Sequence, residues 1–255
     1  MKKIIGLLLV ILLVSCKSTS DKIDSFVDAY NKSVAIELAK RPDSELSNTS
    51  AKKVSDSLVE LTLNFKESMA EMENDTAIYT KLYPPLIAGA MKQERSFTDL
   101  INNKVSFKLI LMTSDNKEFS NTLINKSNFD KLTSGIGDNV SFEDGSSEGL
   151  KAIIDLLNKS LPIENKQEGY TILKIDIEGE DTLLYRIQMD KKTDLSALKN
   201  NPAAKSLVKE EILRDPSIKN MFLSTTEYGI NKMKIQYLDH TGAVLVEVLV
   251  SKTDF

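Results

Sequence analysis

The sequence has few of the residue types on which most catalytic and metal sites depend. Its 255 residues include one cysteine, one histidine and no tryptophan. A single cysteine excludes an internal disulfide, and a single histidine excludes most metal clusters and histidine-based triads. Only 10 glycines and 6 prolines, with 41% hydrophobic and 27% charged residues, exclude a collagenous or low-complexity chain. One or two ordinary globular domains are expected.

The sequence also lacks the short motifs that mark common enzymes. It contains no G-x-S-x-G, no P-loop, no G-x-G-x-x-G and no H-E-x-x-H. His240 falls in a predicted hairpin turn, where an exposed side chain is expected. The acidic pairs Glu143-Asp144 and Glu180-Asp181 lie in turn or Gly/Ser-rich segments and are expected to be solvated. We therefore expect no catalytic residue, no cofactor and no metal site, and we do not expect an enzyme.

The amino terminus carries a targeting signal instead. Lys2 and Lys3 precede an apolar run, Ile4 to Val14, that is too short to span a bilayer and fits the core of a secretory signal. The run ends in Leu13-Val14-Ser15-Cys16, which resembles the lipobox of bacterial lipoproteins. The alternative is an ordinary secretory signal with a chance cysteine.

The lipoprotein resemblance implies how the chain is processed and where it resides. Residues 1–15 would be removed, and Cys16 would receive a diacylglycerol and an amino-terminal acyl chain, with palmitate the expected fatty acid. Two or more acyl chains anchor a protein stably to a membrane. Lys17 follows the cysteine in place of the aspartate that retains enterobacterial lipoproteins at the inner membrane. The resemblance thus favours a lipid anchor in the outer membrane, with the chain facing either the periplasm or the exterior.

The mature chain is mildly acidic, because loss of Lys2 and Lys3 changes the net charge from −4 to −6. This argues against nucleic acid as a partner. Residues 16–20 are expected to be the lipidated cysteine and a short tether that reaches about 14 Å.

Residues 21–104 are predicted to be helical. Apolar residues recur at helical spacing from Ile23 to Leu38 and again from Val54 to Met72, and a third helix is expected to start at Pro84-Pro85. An apolar stripe of this kind is most often core, but a lipid- or partner-binding face is the alternative.

Residues 105–255 are predicted to hold three β-hairpins with intervening helices. Three segments, 107–129, 173–195 and 233–255, align without a gap, each opening with apolar-Lys-apolar and closing with Lys-Ser/Thr-Asn/Asp-Phe/Leu. Turn-forming residues lie in the middle of each segment. Helices are expected at about 148–161 and 195–228, the latter broken at Asp215-Pro216.

The predicted fold class is α+β: a helical N-terminal part followed by helix-plus-hairpin repeats that share an antiparallel sheet. Hairpins expose edges, so they are expected to pair with one another under the helices. The last strand is apolar on both sides, Val244 to Val250 and Leu245 with Leu249, and is expected to lie centrally or at an interface.

These features favour a lipid-anchored, non-catalytic binding or assembly protein of the Gram-negative envelope, with an envelope protein as partner. The alternative is a carrier of a small apolar ligand, with Met69 and Met72 lining its pocket. The Gly/Ser-rich segment 133–149 is either a linker or a ligand contact.

Overall fold

The computed structural model describes residues 18–39, 44–72, 76–134, 146–190, 201–214, 218–219, 222 and 225–255. These residues form two compact units, which divide between residues 143 and 144. We call residues 18–134 the N-terminal unit and residues 146–255 the C-terminal unit. Helices combine with two sheets in which antiparallel pairing predominates, and the predicted α+β class is confirmed.

The N-terminal unit has five helices and a four-stranded sheet among its described residues. In chain order these elements are α1 (Thr19–Ala39), β1 (Leu46–Ser55), β2 (Leu58–Phe65), α2 (Met69–Met72), α3 (Thr76–Gln93), α4 (Arg95–Asn102), β3 (Ser106–Met112), β4 (Glu118–Ile124) and α5 (Lys126–Leu132). The strand order is β1-β2-β3-β4. Two antiparallel hairpins, β1-β2 and β3-β4, are joined by parallel pairing of the inner strands β2 and β3.

The C-terminal unit repeats this plan. Its elements are α6 (Ser147–Ser160), β5 (Ile163–Asn165), β6 (Tyr170–Glu178), β7 (Thr182–Met189), α7 (Pro202–Arg214), β8 (Lys232–Leu238) and β9 (Val244–Ser251), with short 3-10 helices at Thr226–Tyr228 and Lys252–Asp254. The strand order is β5-β6-β7-β8-β9. Hairpins β6-β7 and β8-β9 are again joined by a parallel pair, β7-β8.

The paired residues show that the two units share one frame. In the N-terminal unit Ala51, Leu61 and Leu109 lie side by side on three strands. In the C-terminal unit Ile175, Tyr185 and Ile235 do the same. Each unit therefore consists of a helix, a hairpin, a helical crossover and a second hairpin. The predicted repeat segments 107–129, 173–195 and 233–255 are three of the four hairpins in these two equivalent units.

An asparagine on the first helix of each unit confirms this equivalence. The Asn31 side chain on α1 accepts from the Ala51 amide at 2.8 Å and donates to the Ala51 carbonyl at 2.9 Å. Asn158 on α6 makes the same two bonds to Ile175, at 3.0 and 2.7 Å. On one side Ala51 and Ile175 lie beside the next strand, and on the other side the asparagine amide takes the place of a strand. It pairs there with backbone polar groups that would otherwise be unpaired.

The segment from Val54 to Met72 is a correction to the predicted helical region 21–104. Residues 46–65 form the hairpin β1-β2, with Val59, Leu61, Leu63 and Phe65 all buried on one face. Leu58, Leu61 and Phe65 fit helical spacing as well, so the apolar pattern is ambiguous in so short a run. The segment forms a strand because β2 pairs with β3, about fifty residues further along the chain.

Three further predictions need correction. The helix expected to begin at Pro84-Pro85 begins at Thr76, with both prolines inside α3. The predicted single antiparallel sheet is two sheets, because each pair of hairpins closes its own sheet through a parallel pair. Of the two places expected for β9, central or at an interface, the central one is wrong, because β9 is the edge strand beside β8.

The two inner faces, those covered by helices, are packed differently. In the N-terminal unit three rings form a cluster: Phe107 of β3 lies 5.6 Å from Phe26 of α1 and 5.1 Å from Phe97 of α4, measured between ring centroids. Met233 occupies the position of Phe107 in the C-terminal unit, where the buried strand residues are aliphatic. These are Ile175, Leu183, Met233, Ile235, Val246, Val248 and Val250.

Candidate functional site

The outer faces, the sheet faces opposite the helices, carry the repeated lysine of the sequence pattern. Four side chains form a cross-strand row in each unit. In the N-terminal unit the row is Lys52, Glu60, Lys108 and Leu123. In the C-terminal unit it is Asp176, Leu184, Lys234 and Leu249.

Both repeated lysines in these rows form ion pairs. Lys108 Nζ lies 3.5 Å from a Glu60 carboxylate oxygen. Lys234 contacts Glu178 and lies 3.9 Å from Glu247, and the Glu178 contact raises the pKa of Lys234. These pairs are partly exposed, so each contributes little to stability. The lysines organise charge on the outer face and do not bring a reactive pair together.

The neighbouring rows differ in charge between the two units. In the N-terminal unit the row is Ser50, Thr62, Ile110 and Asn121. In the C-terminal unit it is Lys174, Arg186, Gln236 and Glu247. There Arg186 donates to Gln236 at 3.3 Å, and Gln236 donates to Glu247 at 2.8 Å. One frame therefore presents an uncharged row in one unit and a charged row in the other.

Large apolar side chains remain exposed on these faces. Val54 and Leu123, on the two edge strands of the N-terminal sheet, are 51% and 47% exposed, and Leu249 on β9 is 44% exposed. Some outer-face residues, among them Ile110 and Leu184, are buried. Exposed apolar residues rimmed by polar ones are typical of interaction surfaces.

A polar pocket of about 400 Å³ lies among the helices of the N-terminal unit. Its walls come from the end of α3, from α4, from α5 and from the two residues that follow α5. The lining residues are Lys92, Thr98, Asn102, Lys126, Phe129, Asp130, Thr133 and Ser134. Lys126 pairs with Asp130 at 2.7 Å, and the hydroxyls of Thr98 and Thr133 donate to carbonyls of their own helices. These four polar side chains are thus already engaged within the protein.

The pocket includes the start of the predicted loop 133–149. Thr133 and Ser134 line it, Ser146 caps α6, and residues 135–145 lie outside the described part of the chain. Lys92, Thr98 and Asn102 were missed by sequence reasoning. Thr98 and Asn102 are spaced to share one side of α4, but such polar pairs are common on helix surfaces.

The other candidate residues are dispersed. His240 is exposed in the β8-β9 turn, as predicted. Asp181 lies 3.1 Å from Lys232, and this contact lowers the pKa of Asp181. Met72 is fully buried and Met69 half-buried, and neither lines the pocket. Cys16 and the pair Glu143-Asp144 lie outside the described residues.

No group of three or more His, Cys, Asp or Glu side chains in the described part of the chain is arranged to hold a metal ion. No helix within the same ranges is long and apolar enough to cross a bilayer.

Comparison of the chain with known protein families, with curated proteins and with solved structures found no match.

Proposed function

We propose that this chain is a lipid-anchored, non-catalytic binding or assembly protein of the Gram-negative cell envelope, held in the outer membrane through Cys16. The lipobox-like segment Leu13-Val14-Ser15-Cys16 supports the anchor. The contrast between the outer faces supports the binding role.

The duplicated frame with chemically different outer faces carries this proposal. The positions that hold the frame are equivalent in the two units, as Asn31 and Asn158 show. The row from Ser50 to Asn121 is uncharged, whereas the row from Lys174 to Glu247 is charged. Two faces of different chemistry suit contacts with two different protein surfaces, because polar and charged groups at an interface must meet complementary partners.

Site-specific crosslinking in cells tests the binding role. A photoreactive amino acid replaces Leu123 or Leu249, which are equivalent exposed residues on the two outer faces. Ile36 on α1, which is 57% exposed, serves as the matched control. We expect a discrete protein adduct from Leu123 or Leu249, none from Ile36, and loss of the adduct in a Cys16→Ser chain.

Adducts of equal yield at all three positions, or none at Leu123 and Leu249, contradict the proposal. Native mass spectrometry would then test the second hypothesis, a carrier of a small apolar ligand. The polar lining of the pocket at Lys126 and Asn102 does not favour that hypothesis.

A further inference from the structure

The start of α1 is held to the first hairpin turn. Ser18 caps the helix, since its hydroxyl donates to Asp21 at 2.7 Å and accepts from the Asp21 amide at 3.2 Å. One residue into the helix, the Ser20 hydroxyl donates to Asp56 in the β1-β2 turn at 2.9 Å. Lys53 donates to Ser20 at 2.6 Å and to Asp24 at 3.0 Å. Helix start and turn therefore form one surface, which we call the turn end.

Helix α1 begins two residues before Asp21, near which the sequence pattern begins. It starts at Thr19, with Ser18 as its cap. Only two residue steps separate Cys16 from Ser18, a reach of about 7 Å even when fully extended. A lipid on Cys16 would therefore keep the turn end beside the membrane surface.

The sheet shows which part of the N-terminal unit lies furthest from that end. The Ser106 amide donates to Ser57 at 2.8 Å, so β3 begins at the turn end. The β3-β4 turn lies at the opposite end, where the Ser114 amide donates to Glu67 at 2.8 Å. Strand β2 runs between the two ends over Leu58–Phe65, a length of about 23 Å at 3.3 Å per residue.

We propose that the turn end of the N-terminal unit faces the lipid surface, with the β3-β4 turn directed away from it. The inference rests on the proposed lipidation of Cys16 and adds the orientation of the unit. Charge at the turn end is nearly balanced, with Lys22 and Lys53 against Asp21, Asp24 and Asp56. The short tether, and not attraction to anionic lipid, holds this surface at the membrane, so the orientation does not depend on salt.

Fluorescence quenching by lipid tests the orientation on the full lipidated chain. Ser57→Cys and Ser114→Cys each place a fluorophore on an exposed serine of a hairpin turn, and an acylated Cys16 does not react with the label. The protein is reconstituted into phosphatidylcholine vesicles that contain a headgroup-nitroxide lipid. We expect quenching at Ser57 to exceed that at Ser114 by at least about twofold, because the two ends of the strands are about 23 Å apart.

Equal quenching at the two positions, or stronger quenching at Ser114, overturns the orientation. Loss of the Ser57 quenching at high salt overturns the role of the tether. Vesicle flotation and the mass of the chain distinguish failure of the proposed orientation from failure of the lipid anchor. A chain that neither carries acyl groups nor floats contradicts the proposed function itself, whereas one that floats with equal quenching contradicts only the orientation.

Discussion

The two units show how one backbone plan accepts two different interiors and two different surfaces. Both place a helix asparagine against a strand backbone and a lysine on the outer face of the inner strand, Lys108 in one and Lys234 in the other. In the N-terminal unit Phe107 packs in a cluster of rings, whereas in the C-terminal unit Met233 lies at the equivalent position among aliphatic residues. The register and the hydrogen bonds define the plan, while the packing residues are free to vary so long as they fill the volume.

The largest effects are expected in the two interiors. Phe107→Ala removes a fully buried ring from contact with two others and should lower the free energy of unfolding by about 4 kcal/mol, whereas Met233→Ala should cost about 3 kcal/mol. Urea denaturation gives the two values, and hydrogen exchange shows which unit loses protection. A larger loss for Met233→Ala than for Phe107→Ala would contradict the contrast between the two cores.

The shared asparagines should matter equally in both units. Asn31→Ala and Asn158→Ala each leave a strand N–H and C=O without their side-chain partner and should cost about 2 kcal/mol. Exchange of the Ala51 or Ile175 amide should accelerate in the corresponding variant. Lys32→Ala, an exposed change on α1, is the control and should leave both amides protected. An unchanged Ala51 exchange rate in Asn31→Ala would show that the contact is dispensable.

The capping boxes that follow the second hairpin of each unit should have a smaller effect on stability. Asn125 and Asn128 exchange side-chain and backbone bonds at the start of α5, and Ser251 and Asp254 do so at the C-terminal 3-10 helix. Asn125→Ala should cost about 1 kcal/mol. Ser251→Ala should cost about 0.5 kcal/mol, because only one short turn follows it. Thermal melts of the two variants would refute this order if Ser251→Ala proved the more damaging.

The smallest expected effect is a pH dependence of stability that the cap at Asp254 has and the cap at Asn128 lacks. Lys209, 2.8 Å from Asp254, together with the Ser251 hydrogen bonds lowers the pKa of Asp254 to about 2. A carboxyl with a lowered folded-state pKa stabilises the fold above its unfolded pKa of about 4, and the stabilisation is lost as pH falls towards the folded value. Asn128, the equivalent residue in the N-terminal unit, does not titrate.

Asp254→Asn should therefore flatten the fall in melting temperature between about pH 4 and pH 2. Asn128→Asp should introduce a weaker dependence in the N-terminal unit, because the new carboxylate would accept from the Asn125 amide but would lack the ion pair with Lys209. Melting curves over this pH range measure both. An identical pH profile for wild type and Asp254→Asn would exclude Asp254 as a contributor.

The predictions from sequence succeeded where neighbouring residues decide the structure. The three hairpins within 107–129, 173–195 and 233–255 have strict alternation on either side of a turn, and each was found. A short helix that was not predicted, α5, follows the first of these hairpins, because Asn125 and Asn128, three positions apart, complete a capping box.

The predictions failed where partners are distant. Residues 46–65 are a hairpin because β2 pairs with β3, and the pattern at Leu58 and Leu61 suits either a helix or a strand. The pocket could not be anticipated, since Lys92 and Lys126 come from helices separated by strands β3 and β4. The bonds of Asn31 and Asn158 carry no local signal either, because a helix asparagine is ordinarily a surface residue.

The sequence by itself determined the α+β class, the three later hairpins and the turns within them. All of these depend on side-chain alternation, turn residues and contacts within four positions. Only the tertiary structure decided that hairpins pair two by two into separate sheets, that β9 is an edge, and that one face of each sheet stays outside the helices. Strand pairing joins backbones whose hydrogen-bonding groups are the same in every residue, so the choice of partner rests on packing across the whole unit.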